Sequence, residues 1–133
     1  MKKLKAILIL LLFLTGGAVV SQAQTARITS ILEQFCVGHY DDCYDPCQYI
    51  PNSLRVTSTE VDETNGKIYV KGKHSYYGQY IPLYGRKKHT DVDFKAEIIP
   101  ANVGVKVKFW KWCESDWTQS AHWQEACEKT ILL

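Results

Sequence analysis

The segment Phe35–Cys47, FCVGHYDDCYDPC, holds three cysteines, one histidine and three aspartates within thirteen residues. Thiols, an imidazole and carboxylates this close together offer three kinds of chemistry. Cys36, His39, Cys43 and Cys47 are ligand types that zinc accepts. Structural zinc joins two ligand pairs across a longer connection, however, and these four sit on one short arc, so no metal or other cofactor is expected. His39 with Asp41 or Asp42 supplies a base and a carboxylate, which act together only when geometry brings both to a substrate. The third chemistry is disulfide formation, and the start of the chain favours it.

The chain opens MKKLKAILILLLFLTGGAVVSQAQ, with Lys2, Lys3 and Lys5 ahead of an apolar run and small residues at Ser21 and Ala23. That layout predicts a signal peptide over residues 1–23, cleaved after Ala23, and a secreted or periplasmic product. The run Ala6–Leu14 is shorter than the roughly 20 apolar residues of a membrane span, so no membrane anchor is expected. Cleavage removes three of sixteen basic residues and none of fourteen acidic ones, leaving a net charge of −1. The basic balance of the whole chain is therefore no argument for a nucleic-acid partner. Thiols pair outside the cytoplasm, and five cysteines allow at most two bridges, with one thiol left free or linking two chains into a dimer. The expected pairs are Cys113 with Cys127 and one pair within Cys36, Cys43 and Cys47.

Two aromatic groups supply candidate binding surfaces. HSYYGQYIPLYGRKKH carries Tyr76, Tyr77, Tyr80 and Tyr84 among turn residues, followed by Arg86, Lys87, Lys88 and His89. Aromatic rings give contact area with a polar handle, and the basic run suits an acidic or glycan partner. The expected ligand-binding residues are Tyr76, Tyr77, Tyr80, Tyr84 and Arg86, in a connection much longer than the usual 4 to 6 or so residues unless the strands extend into it. Trp110, Trp112, Trp117 and Trp123 form the second group, a small second core or a ligand platform.

The elements that must position these residues are legible from periodicity. Ile28, Ile31, Leu32 and Phe35 follow helical spacing, with Thr25 as N-cap and Gly38 as stop. Val92, Phe94, Ala96 and Ile98 alternate with charged residues, as do Val103, Val105, Val107 and Phe109. A hairpin about Ala101 and Asn102 sets Ile98 opposite Val105 and Glu97 opposite Lys106. Asn65–Gly66 marks an earlier hairpin with Val61 opposite Val70. Leu54 and Val56 have the opposite parity from Val61, which predicts a bulge or an edge strand. The expected fold is α+β: one domain over residues 24–133, an N-terminal amphipathic helix packed on a four-stranded antiparallel meander and stapled by disulfides.

CVGHYDDCY resembles the phospholipase A2 signature, in which Cys, two spacers, His, Asp and then a Cys-Tyr pair place a base and a calcium-binding carboxylate on one helix. Here Tyr40 follows His39, and TARITSILEQ stands where that family has a glycine-rich calcium loop. The resemblance implies a small secreted hydrolase using His39. A helix before a meander is similar to the cystatin architecture, and QFCVG resembles its Q-x-V-x-G loop, with the valine three residues after Gln34; this implies an inhibitor. No G-x-S-x-G, H-E-x-x-H or phosphate-binding glycine loop is present. The reading that takes in the whole chain is a small exported binding protein with a protein or glycan partner and no catalytic site, rather than an enzyme.

Overall fold

A computed structural model describes residues 21–116 and 119–133. The expected signal segment up to residue 20 and Trp117 lie outside the described residues. Among these residues one helix, α1 (Gln22–Cys43), precedes seven strands: β1 (Gln48–Tyr49), β2 (Arg55–Val61), β3 (Ile68–Ile81), β4 (Gly85–Pro100), β5 (Val105–Cys113), β6 (His122–Trp123) and β7 (Cys127–Ile131). All pair antiparallel in the order β1-β3-β4-β5-β6, with β2 also on β3 and β7 also on β5. The α+β class and the central meander are as expected, and the sheet has seven strands where four were expected, because short segments at both ends add to its edges.

Helix α1 buries Ile28, Ile31, Leu32, Phe35, Cys36 and Tyr40, the expected stripe prolonged by a turn. It begins earlier than the expected Thr25: the Ser21 hydroxyl accepts from the Gln24 N–H and the Gln24 side chain accepts from the Ser21 N–H, a reciprocal capping box. Nor does it stop at Gly38. Continuing to Cys43 places Tyr40 and Tyr44 over the sheet, where both are buried, and that apolar burial outweighs the roughly 1 kcal/mol cost of a helical glycine. No helix among the described residues is long and apolar enough to cross a membrane.

Both hairpins slip by two residues from the expected registers. Val61 faces Ile68 rather than Val70, because Asp62 closes a four-residue loop: its carboxylate accepts from Thr64 N–H and its carbonyl from Gly66 N–H. Ile98 faces Val107 and Glu97 faces Lys108, because the turn runs to Gly104, whose φ of +66° suits glycine. A slip of two preserves face, so Val92, Phe94, Ala96, Ile98, Val105, Val107 and Phe109 are all buried as expected, while Val103 falls in the turn. The expected irregularity in β2 is a bulge between Val56 and Ser58.

The disulfide joins Cys43 to Cys127, with Cα atoms 5.8 Å apart, and not Cys113 to Cys127. Cys127 faces Phe109 across β5 and β7, which puts Cys113 four residues, about 13 Å, along the strand, beyond the roughly 7 Å that a bridge spans. Cys43, in the last turn of α1, lies over Cys127 instead. This also removes the expected pair within Cys36, Cys43 and Cys47. Cys36, Cys47 and Cys113 are free and buried.

Candidate functional site

The tyrosine-rich stretch is the end of a long hairpin, not a loop. Tyr76 faces His89, Tyr77 faces Lys88 and Tyr80 faces Arg86 across β3 and β4, and only Pro82, Leu83 and Tyr84 form the tip. Leu83 (φ 73°) and Gly85 (φ 78°) turn the chain there. The strands therefore extend through the basic run, and alternation splits the expected binding residues. Tyr77, Tyr80 and Tyr84 are exposed, whereas Tyr76 is buried beneath the helix. Arg86 acts as a brace: its Nη1 donates to the carbonyls of Pro46 at 2.8 Å and Gly78 at 2.9 Å, tying the hairpin to the turn after α1.

Beside this brace a cleft of about 500 Å³ opens between the hairpin end and the segment after β5, walled by Gly78, Gln79, Ile81, Tyr84, Gly85, Lys87, Ser115 and Asp116. Its size is that of a small-molecule or oligosaccharide subsite. Of the five expected residues it takes Tyr84 into its wall and Arg86 into its support; Tyr77 and Tyr80 stand on the same hairpin outside it.

A second cavity of about 170 Å³ shares Gly78, Gln79 and Asp116 with the cleft and runs inward to Tyr76, Cys47, Cys113, His89 and Glu114. His89 is buried, stacks on Tyr76 at 4.8 Å between centroids, and donates from Nδ1 to Glu114 Oε1 at 3.0 Å. Its ring fits because residue 78 is glycine: a β-carbon there would sit 3.1 Å from His89 Nε2. Behind the wall lies Lys111, 0 % exposed, whose ammonium donates to Cys47 Sγ at 3.1 Å and Gln124 Oε1 at 3.0 Å and lies 4.1 Å from the Tyr76 ring centroid. Burial pushes the Cys113 thiol up from its usual range, with Lys111 opposing, and Gln119 donates to its sulfur at 2.8 Å.

Neither Lys111 nor His74 stands in a recognisable sequence motif, although parity marks Lys111. Counting from Val105, residues 107, 109, 111 and 113 all point inward. His74 is 0 % exposed; Val92 O can only accept, so Nδ1 donates to it at 2.9 Å and Nε2 receives the Tyr40 hydroxyl at 3.0 Å. Burial lowers the His74 pKa to about 4; the Val92 bond opposes this and Lys111 adds to it. His74 is thus a neutral core residue with both nitrogens engaged.

In the opening segment, His39 packs on the Phe35 ring at 5.9 Å, and no ion pair ties it to Asp41 or Asp42, which are exposed. Asp41 instead accepts from the Tyr49 N–H at 3.4 Å. Gln34–Gly38 lies within α1 rather than in a hairpin. Among the described residues no group of three or more His, Cys, Asp or Glu is arranged to hold a metal ion. Trp112 and Trp123 meet edge to face at 5.3 Å, and Lys95 lies 4.5 Å over Trp123, on the sheet face away from α1. No family model matches the chain, and no curated protein or solved structure matches it.

Proposed function

We propose that the protein is a small exported domain that binds a glycan in the cleft beside the β3–β4 hairpin. The observation that carries this reading is the cleft of about 500 Å³ whose wall brings together an aromatic residue, Tyr84, with the polar residues Lys87, Ser115 and Asp116. An aromatic residue beside polar ones suits a sugar ring, which presents an apolar face and a rim of hydroxyls. Arg86 keeps the cleft preformed, which lowers the ordering cost of binding. Export is supported by the lysine-led apolar leader and by the Cys43–Cys127 bridge, which persists in oxidising compartments.

Calorimetric titration of the purified protein with neutral and acidic oligosaccharides tests the reading. Saturable binding of at least one class is expected, with Tyr84→Ala weakening it about tenfold, since a stacked ring contributes on the order of 1 kcal/mol or more. Equal binding by wild type and Tyr84→Ala, or no binding by either, would count against it.

A further inference from the structure

We propose that Cys47 is a reactive thiol that reduces hydroperoxides, with Cys113 as the second thiol that resolves the product. The inference is independent of what occupies the outer cleft.

The buried Lys111 ammonium motivates it. A cation out of water needs an anion or dense hydrogen bonding, and no carboxylate lies within ion-pair distance of Lys111 among the described residues. Its partners are a neutral amide, aromatic faces and the Cys47 sulfur. Of these the sulfur is the nucleophilic atom, and it lies 3.1 Å from the ammonium. An ammonium hydrogen-bonded to sulfur is the microenvironment of reactive rather than structural cysteines. Cys36 is the internal contrast: it sits in the apolar contact between helix and sheet, where burial pushes its thiol well above the usual range.

Access and a second thiol complete the argument. Cys47 and Cys113 line the same inner cavity, which lies beside the outer cleft and shares Gly78, Gln79 and Asp116 with its wall. At about 170 Å³ the cavity admits a small hydroperoxide and excludes large electrophiles. In the first step the Cys47 sulfur attacks the terminal peroxide oxygen and the O–O bond breaks, its electron pair leaving with the alkoxide. The alkoxide takes up the proton that the thiol gave up, so sulfur is oxidised to sulfenic acid by two electrons and the peroxide is reduced to an alcohol or water. The Cys113 thiol then attacks the Cys47 sulfur, the S–O bond breaks, and the hydroxyl leaves as water with the Cys113 proton. An external dithiol returns the resulting disulfide to two thiols.

The test is brief exposure of the folded full chain to hydrogen peroxide, followed by dimedone trapping, alkylation of remaining thiols and unreduced peptide mass spectrometry. In the wild type a Cys47–Cys113 bridge is expected beside Cys43–Cys127, with Cys47 oxidised about tenfold or more faster than Cys36. Cys113→Ser should accumulate dimedone adduct on Cys47, Cys47→Ser should leave Cys113 reduced, and Lys111→Met should slow oxidation about tenfold. Equal oxidation of Cys47 and Cys36 in the wild type would overturn the proposal without recourse to any variant. So would a Lys111→Met protein of native circular dichroism that reacts as fast as wild type.

Discussion

His74 carries a chemistry that its position in the sequence conceals. Between the ordinary histidine pKa near 6.5 and its folded value of about 4, the unfolded chain binds a proton that the folded chain refuses. Stability is therefore fully present above about pH 6.5 and falls as the pH drops toward 4, by about 3 kcal/mol in all. Urea unfolding across that range should show the loss, and His74→Gln should flatten it; an equally steep profile in the variant would assign the effect elsewhere. Tyr40→Phe leaves His74 Nε2 without its donor in a dry core and should cost about 1–2 kcal/mol in the same measurement. Neither histidine role was legible from sequence, because His39, His74, His89 and His122 look alike until the fold brings Tyr40, Val92 and Glu114 to two of them. Lys111 was legible in principle, since strand parity alone points it inward.

At the scale of elements, hydrophobic alternation told which faces are buried but not which residues sit opposite. Both hairpins kept their faces and moved two places, because turn length is decided by side-chain bonds such as Asp62 to Thr64 and by which glycine takes a positive φ. The helix runs past its expected end at Gly38 for a related reason. Gly38 is exposed, with open space where a β-carbon would go, and a stop signal yields when tyrosines beyond it have a core to enter. Gly38→Ala should therefore raise stability by about 0.5–1 kcal/mol in thermal or urea unfolding. Gly72→Ala should do the opposite and cost several times as much. Its β-carbon would lie 2.2 Å from the Arg55 carbonyl oxygen and 2.5 Å from the Phe94 ring, both fixed by pairing in the sheet. A Gly72→Ala protein as stable as wild type would show that β2 can shift away from β3.

For the molecule as a whole, the Cys43–Cys127 bridge fastens the end of the helix to the last strand across 84 residues of sequence. Cys43→Ser with Cys127→Ser should cost about 2–5 kcal/mol, read as a lower melting temperature under conditions where reductant no longer alters it. The α+β layering was readable from periodicity, whereas the pairing of cysteines was not, since it depends on β7 lying antiparallel on β5. The binding face was half readable: the tyrosines and basic residues marked the hairpin, but the cleft needs Ser115 and Asp116 from the segment beyond β5. The most direct test of the proposed binding role is a map of backbone amide shifts as an oligosaccharide is added to isotope-labelled protein. The account requires saturable shifts concentrated at Gly78–Lys87 and Ser115–Asp116. Shifts centred instead on the Trp110, Trp112 and Trp123 face, or none at saturating sugar, would contradict it.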